Sequence, residues 1–398
     1  MKLAYLFIMS CLAIGLAMLA SCSKDKVVEV KVSNISDIMS DGGMVEVPLE
    51  PLLDYLGSEY VYVTDSLLNE IPSQVTYDGK LIFQSTTSPG AETVYYIHSS
   101  STPHDYDSVT VGRVYSERAD DIAWENELVG FRAYGPATQG KGEKAFGYDI
   151  FFKYPSAEPV LEQLYAPETS PATWQKVDSL RAIDPDLAEE FIKTFSYHID
   201  HGLGMDCYAV GATLGAGAAA IELNDTIQYP WCYEKAEVLD NGPLRFSVRL
   251  DFAPVIVDGV GDFTEHRLIC LDAGSHLNKC KVWYDGLNSS QTVVAGFPRR
   301  DESSAVMDSM TTLAYADPTQ GPDNGKALLG IVLDKPAKEM LESYGHIIAR
   351  SEISPRDTFS YSWGFAWDKT DIKTLAEWNE YLAKYSQKQN NSISVAYK

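Results

Sequence analysis

A series of long alternating segments constrains the fold of this chain more than any other feature. Polar and apolar side chains alternate over residues 245–250, in the order Arg-Phe-Ser-Val-Arg-Leu. This pattern is typical of a strand with one face in a core and one in water. Similar runs recur after Gly217, namely AAAIEL, AEVLD, EHRLICLD, LNKCKVWYD, TVVAGF, SMTTLAYA and ALLGIVL. They predict a broad antiparallel sheet.

The first part of the chain predicts a smaller β unit. Short β-type runs alternate there with turns at Asp41-Gly42-Gly43, Asp78-Gly79 and Pro89-Gly90. We interpret residues 36–105 as a small β-sandwich, preceded by a tether over residues 22–35, and residues 106–398 as a larger domain. Many strands and few helices favour stacked sheets, so the predicted fold class is mainly β.

The N-terminus has the features of a secretion signal. Lys2 precedes an apolar run, and Leu19-Ala20-Ser21-Cys22 resembles the lipobox of bacterial lipoproteins. The resemblance implies that residues 1–21 are removed and that Cys22 carries a lipid. We therefore expect an outer-membrane lipoprotein on the periplasmic or cell-surface side. An uncleaved membrane anchor is the alternative.

Composition and motifs argue against several functions. The chain has 32 Lys and Arg against 56 Asp and Glu, a net charge of −24, and such a field repels nucleic acid. The glycine-rich segment 211–217 lacks the Lys-Ser/Thr pair of a phosphate loop, so nucleotide binding is not expected. No GxSxG elbow is present, which argues against a serine hydrolase.

Four cysteines remain beyond the predicted lipid site. Cys270 and Cys280 flank a predicted hairpin and are candidates for a disulfide, which an extracytoplasmic location permits. The alternative is that these two, with Cys207 and Cys232, are buried free thiols. No CxxC pair occurs, so a structural zinc site is not expected.

Two helices are predicted in the larger domain. Asp184-Pro185 has the residue types of a helix start, with aspartate as the cap and proline in the first turn. The apolar face that follows comprises Leu187, Ala188, Phe191 and Ile192. A second apolar stripe near the C-terminus comprises Leu375, Trp378, Tyr381 and Leu382. We expect this last helix to cover an edge or a face of the sheet.

The segment 196–217 carries the first group of candidate site residues. His198, His201, Asp206 and Tyr208 lie there among five glycines, which allow close approach of backbone and ligand. In one interpretation an imidazole oriented by a carboxylate is a general acid or base. In a second, the two histidines and Asp206 bind a divalent metal. In a third, the histidines only hydrogen-bond loop carbonyls.

Other candidates are spread along the chain. His266 begins a strand and is interpreted either as a partner of His198 or as a histidine on a solvated sheet face. Arg132, with Arg299 second, is the candidate for bidentate binding of a substrate carboxylate, or else a surface ion-pair residue. The remaining candidate sugar-binding residues are Trp124, Glu125, Asn126, Trp231 and Trp363. The aromatic rings in this set are equally interpreted as core residues.

Several motifs resemble one known family. They are Trp124-Glu125-Asn126 with residues 131–136, Ser196-Tyr197-His198, residues 206–211, and Asn241-Gly242-Pro243-Leu244-Arg245. In these the chain resembles a family of secreted Bacteroidota proteins of unassigned function, found in polysaccharide-utilisation loci beside or fused to unsaturated uronyl hydrolases. The resemblance covers most of the mature chain. It transfers no catalytic residues.

The resemblance implies a fold, a ligand and a function. The fold is a large antiparallel β-supersandwich like that of galactose mutarotases, and the ligand is carbohydrate. We expect an enzyme on uronic-acid-containing oligosaccharides, with lyase-type proton abstraction first and glycoside hydrolysis or isomerisation next. No cofactor is expected, with a divalent metal as the alternative. A non-catalytic surface glycan-binding lipoprotein is the second hypothesis.

Overall fold

The computed structural model describes residues 26–257, 261–303, 305–390 and 394–397. The predicted signal peptide and the predicted lipid site at Cys22 lie outside these ranges. Among the helices in the described ranges, none is both long and apolar enough to cross a bilayer.

The N-terminal unit is a small sandwich of two antiparallel sheets. Its elements are β1 (Val27–Ser33), β2 (Ser40–Pro48), α1 (Glu50–Leu56), β3 (Tyr60–Thr64), β4 (Glu70–Ile71), β5 (Ser73–Val75), β6 (Lys80–Thr87) and β7 (Glu92–Ser100). Strand β1 lies within the range for which a tether is predicted. It is a strand because Val28, Val30 and Val32 alternate with polar residues and fill the core between the sheets.

The next part of the chain forms a five-stranded sheet with the helical insert. Its elements are β8 (Val111–Tyr115), β9 (Asp121–Glu125), β10 (Gly130–Ala133), α2 (Pro136–Gly140), β11 (Asp149–Lys153), α3 (Leu161–Thr169), α4 (Pro171–Arg181), α5 (Pro185–Lys193) and β12 (Gly204–Met205). The sheet order is β12-β11-β10-β9-β8, all antiparallel. The Asp184 side chain caps α5 as predicted, but Leu187 on its predicted apolar face is exposed.

The remaining strands, apart from β27, form two further sheets, one of five strands and one of nine. They are β13 (Ala219–Leu223), β14 (Thr226–Gln228), β15 (Tyr233–Asn241), β16 (Arg245–Phe252), β17 (Val255–Val257), β18 (Gly261–Asp272), β19 (Leu277–Asp285), β20 (Gln291–Pro298), β21 (Ala305–Ser309), β22 (Thr312–Asp317), β23 (Ala327–Leu333), β24 (Glu339–Ser343), β25 (His346–Ile353) and β26 (Thr358–Trp367), followed by α6 (Leu375–Asn390) and β27 (Ser394–Tyr397). One sheet runs β14-β13-β20-β25-β24. The other has nine strands, in the order β15-β16-β18-β19-β26-β23-β22-β21 with β17 on β18.

One hydrophobic core joins the three sheets of the larger region. At its centre Trp363 of β26 stacks on Tyr148 with ring centroids 3.9 Å apart, and Phe131 of β10 meets the same indole edge-on at 5.0 Å. The predicted fold class, a large antiparallel sandwich preceded by a small one, is confirmed. β27 then returns to pair with β1, so the small sandwich includes strands from both ends of the described chain.

Helix α6 covers the outer face of the nine-stranded sheet. Trp378 and Leu382 on its inner stripe are fully buried against that face. Strand β23 is therefore buried on both sides, which explains its uninterrupted apolar sequence, ALLGIVL. The helix fits because Gly330 leaves room beneath these two side chains.

The strand register decides the state of the cysteines. Cys270 lies opposite Lys279, and Cys280 lies opposite Ile269. The two thiols therefore point to opposite faces of the sheet, because neighbouring positions along a strand alternate. Of the two alternatives, the structure has the free thiols: Cys207, Cys232, Cys270 and Cys280 are all unpaired.

The packing at Gly330 gives a testable prediction. A Cβ there would lie 2.8 Å from atoms of Trp378 and Leu382. Gly330→Ala should therefore lower the free energy of unfolding by about 1–3 kcal/mol through overpacking, as measured by urea denaturation. Gly140→Ala is the matched control, because a Cβ at Gly140 has no neighbour within 4 Å. Equal stability of the two variants would contradict this packing.

Candidate acid–base site

The glycine-rich segment 196–217 is held at two points, one against Phe152 of β11 and one against Tyr148, the residue before β11. Gly204 has φ of 119° and faces the Phe152 carbonyl, where an added Cβ would lie 2.0 Å from the oxygen. Gly215 has φ of 58° and forms a β-bridge with Tyr148, where an added Cβ would lie 2.3 Å from the Tyr148 carbonyl oxygen. Only glycine combines this backbone conformation with such close contact. The glycines therefore position the segment between them, which contains Asp206.

Beneath this segment lies a buried cluster of one guanidinium and two carboxylates. Arg132 of β10 and Asp149 of β11 are direct cross-strand neighbours. Arg132 Nε donates to Asp149 Oδ2 at 2.9 Å, and Arg132 Nη2 donates to Asp206 Oδ2 at 2.8 Å. The Tyr134 hydroxyl donates to Asp149 Oδ2 at 2.7 Å. Arg132 is only 3% exposed, so in this conformation it acts on these protein carboxylates.

The cluster holds more negative than positive charge. The pKa of Asp206 is raised to about 6, because burial and then the charge on Asp149 raise it by more than Arg132 lowers it. One guanidinium thus serves two carboxylates in a site with little water. Asp206 is consequently able to hold or release a proton near neutral pH, as an acid–base group requires.

His198 connects this buried cluster to the surface. Its Nδ1 lies 2.9 Å from the Asp206 carbonyl oxygen and 3.8 Å from Asp206 Oδ2. A carbonyl oxygen only accepts hydrogen bonds, so Nδ1 carries the proton in the neutral ring and Nε2 carries the lone pair. The side chain is 55% exposed. The arrangement is an oriented imidazole backed by a carboxylate, with its basic nitrogen on an accessible ring.

The other predicted residues of the segment differ from His198. His201 is exposed on the loop. The Tyr208 hydroxyl is buried without a hydrogen-bond partner, and Arg300 lies over its ring at 5.1 Å. Burial raises the pKa of Tyr208 well above its usual value. The phenol therefore stays protonated and does not serve as a base. Asp206, Arg132 and His198 are therefore the predicted residues that the structure brings into contact.

His266 belongs to a different cluster, on the outer face of the nine-stranded sheet. It lies between Asp251 and Trp283 in the register of three adjacent strands. Its Nδ1 is 2.5 Å from Asp251 Oδ1, and its ring stacks on Trp283 at 5.3 Å. Its Nε2 lies 3.3 Å from Asp285 Oδ2 but makes no hydrogen bond. It therefore lies on a sheet face, as in the second interpretation, but its side chain is only 11% exposed and the face is not solvated there.

Trp124, Glu125 and Asn126 make internal contacts. The Trp124 indole is fully buried and donates to Asn278. The Glu125 carboxylate binds Lys153 Nζ at 2.6 Å and accepts hydrogen bonds from the first backbone N–H groups of α3. Asn126 binds carbonyls of the turn at residues 272–275. These contacts leave none of the three accessible for sugar stacking in this conformation; their sugar-binding role stays a prediction.

The remaining candidates occupy separate places. Trp363 is in the core described above. Trp231 is half-buried and donates to the Glu143 carbonyl at 2.8 Å. Arg299 donates to the Ser303 carbonyl at 2.6 Å, and its Nη2 lies 3.5 Å from Glu342. The structure does not bring Trp363, Trp231 or Arg299 into contact with His198.

The sequence interpretation missed Asp149 and Tyr134. A signal for Asp149 was present, because charged residues, Arg132 in GFRA and Asp149 and Lys153 in DIFFK, occur in short strands that are otherwise apolar. Charged residues in strands buried on both faces are almost always paired. The metal alternative also has a structural test: in the described ranges, no group of three or more His, Cys, Asp or Glu could hold an ion.

Comparison with known proteins places the chain in a family. Residues 32–395 match the model described as Domain of unknown function (DUF4861). The chain belongs to this family. An uncharacterized protein, P7, of Formosa agariphila is 23% identical over 323 residues, which is 79% of this chain and 77% of that protein.

Two solved structures from Enterococcus faecalis resemble the DUF4861 chain. One is an alpha-mannosidase of strain V583, with 9% identity and a TM-score of 0.47. The other is a protein in glycosyl hydrolase family 38, with 10% identity and a TM-score of 0.46. Each alignment covers 94% of this chain but only 46% and 47% of the other chains, about half their length. At these scores we base no argument on the likeness.

The raised pKa of Asp206 predicts a pH dependence of stability. The folded state retains this proton up to about pH 6, whereas an unfolded aspartate loses it near about pH 4. The resulting stabilisation is complete below about pH 4 and is lost as pH rises through 6. Asparagine does not titrate, so the free energy of unfolding of the wild type relative to Asp206→Asn should fall across this window.

Urea denaturation at a series of pH values measures this difference. Asp178→Asn is the matched control, at a carboxylate on α4 whose side chain is 74% exposed. If the free energy of unfolding of the wild type relative to Asp206→Asn stays constant or rises with pH, the assignment of the proton to Asp206 is wrong.

Proposed function

We propose that this DUF4861 protein is a carbohydrate-active enzyme that uses His198 as its acid–base group on uronic-acid-containing oligosaccharides. The observation that carries the proposal is the accessible imidazole of His198, oriented by the carbonyl and carboxylate of Asp206. Arg132 and Asp149 fix Asp206 from below, so they are positioning residues rather than groups that touch substrate.

Lyase-type elimination is the reaction that this arrangement supports best. The proton at C5 of a uronate is acidified by the adjacent carboxylate, and a single base with a fixed lone pair is able to remove it. His198 Nε2 takes that proton, the electron pair forms the C4–C5 double bond, and the C4–O4 bond breaks. The imidazolium then returns the proton to the departing oxygen. Asp206 keeps the ring in one tautomer and balances its transient charge.

The choice of substrate has two supports. The first is the resemblance of residues 124–136, 196–211 and 241–245 to proteins of polysaccharide-utilisation loci. The second is the surface near His198, where Tyr154 is half-buried and donates to Asp200 at 2.8 Å. A phenol ring, from the segment after β11, and a carboxylate two residues along the chain from His198 provide a stacking face and an acceptor for sugar hydroxyls.

Turnover of defined oligosaccharides tests the proposal. We expect pectic, ulvan-like or glycosaminoglycan fragments to yield unsaturated products, seen as new ultraviolet absorbance and as a product mass without added water. His198→Ala should lower kcat/KM by about 10²–10⁴-fold, the usual contribution of a general base. Asp206→Asn should change the pH profile of kcat/KM, which a purely structural role would not do.

The matched control is His104→Ala. His104 is an imidazole beside a carboxylate, with Nδ1 2.8 Å from Glu70, but it lies in the small sandwich. This variant should retain wild-type turnover. Absence of turnover on all three fragment classes, or full activity of His198→Ala, would disprove the proposed enzyme.

We also propose that the protein is anchored by lipid at Cys22, on the strength of the lipobox-like Leu19-Ala20-Ser21-Cys22. Cys22→Ala should move the protein from the membrane fraction to the soluble fraction of its cells, measured by fractionation and immunoblot. Ser23→Ala, the control next to it, should stay with the membrane. Membrane retention of Cys22→Ala would contradict the anchor.

Glycan binding without turnover is the second candidate function. It is favoured by a cavity of about 730 Å³ that opens between the small sandwich and α6. Sugar binding that survives His198→Ala, with no turnover by the wild type, would support this function over the enzyme.

A further inference from the structure

A groove separates the small sandwich from the C-terminal helix. One wall is the segment 34–46, the floor is formed by residues 272–275 with Lys279, and the other wall is α6. Its volume of about 730 Å³ falls within the ~300–1,000 Å³ of typical small-molecule sites. His198 and Asp206 are not among the residues that line it.

The α6 wall has a composition unlike that of a core-facing stripe. Tyr381, Lys384, Tyr385 and Lys388 line the groove, and their spacing of three and four residues places them on one helix face. Tyr381 and Tyr385 are half-buried and stack in sequence on Trp378. The α6 wall of the groove therefore carries both aromatic rings and ammonium groups.

Three acidic residues of the described chain line the groove, and two of them, Asp272 and Glu46, are paired with cations of the protein. The third, Asp41, is exposed at the end of the opposite wall and accepts a hydrogen bond from Thr86 Oγ1 at 3.0 Å. Asp272 accepts from Arg245 at 2.5 Å and from Lys279 at 2.9 Å. Glu46 pairs with Lys80 at 2.8 Å and with Arg245 at 2.7 Å.

The helix lysines are differently placed. Among the residues that the structure describes, the exposed Glu380, at 2.6 Å, is the ion-pair partner of Lys384. Lys388 is exposed one turn further along. Although the chain as a whole has a net charge of −24, these lysines make the wall a local surface at which an anion is not repelled.

An independent observation comes from the opposite wall. The Ser40 hydroxyl is buried and has no hydrogen-bond partner in the described part of the chain, although the residue lines the groove. An unsatisfied buried hydroxyl is costly unless something binds it. It lies where β2 is irregular, between the pairs Ser40–Thr87 and Gly43–Ser85. The bulge is tied to the groove floor by Gln84, whose Nε2 donates to the Ala273 carbonyl at 3.2 Å.

We propose that this groove is a binding site for a short acidic oligosaccharide, distinct from the His198 site. Sugar rings would stack on Tyr381 and Tyr385, a sugar hydroxyl or ring oxygen would pair with Ser40, and a carboxylate would lie against Lys384 and Lys388. The site holds a glycan chain on the protein whether or not His198 acts on it.

Calorimetric titration with trigalacturonate tests the site, in the full mature chain carrying His198→Ala so that no turnover contributes heat. Ser40→Ala should weaken binding by about three- to tenfold, the loss of one hydrogen bond. Its melting temperature should not fall, because the hydroxyl has no partner in the free protein. Lys384→Gln with Lys388→Gln should weaken binding at least fivefold and flatten its salt dependence.

The matched control changes the same charges elsewhere. Lys235→Gln with Lys338→Gln removes two lysines that are each 64% exposed and lie outside the groove, and it should leave the affinity unchanged. Maltotriose, a neutral trisaccharide, should bind more weakly than trigalacturonate. Absence of binding, or equal affinity of the groove variants and the control, would overturn the proposed site. Equal binding of the two sugars would overturn its acidic preference. Turnover by the wild-type protein is measured separately, so the two proposals fail independently.

Discussion

The buried pairing of Arg132 with Asp149 and Asp206 is the interaction on which the candidate site depends. It joins two adjacent strands to the segment that carries His198. An ion pair in a dry interior costs desolvation energy, and this cost is offset only when geometry and hydrogen bonds are good. Here Tyr134 adds a further donor to Asp149. At the second carboxylate, burial and the charge on Asp149 outweigh the effect of Arg132, which is why the pKa of Asp206 rises.

The same part of the molecule relies on backbone contacts that only glycine permits. Gly204 and Gly215 lie against the carbonyls of Phe152 and Tyr148, so the segment between them has little freedom. A fixed segment keeps the Asp206 carbonyl on His198 Nδ1 without help from a ligand. Pre-organisation of this kind lowers the cost of aligning an acid–base group. The core stack of Tyr148 on Trp363 supports the strand from the other side.

Much of the fold followed from local patterns. The alternation in β16, the cap at Asp184 and the apolar stripe of α6 each depend on a few neighbouring residues, and each was predicted from the sequence. Strand β1 formed instead within the predicted tether, although its valines alternate with polar residues. The helix α1 was not predicted, although Pro51 in its first turn is a helix-start signal. The return of β27 to β1 was not predictable either, because no local pattern encodes pairing between strands so far apart in the chain.

The sequence by itself determined that this protein is β-rich and where its glycine-rich histidine segment lies. It also identified Arg132, Asp206 and His198 as candidate site residues. Only the tertiary structure decided that these three meet, that His266 lies in another cluster, and that Tyr208 is buried. Residue type limits what chemistry a side chain is capable of. Its partners, exposure and pKa arise from strands and loops that are distant along the chain and adjacent in space, as when Asp149 and Asp206 meet around one guanidinium.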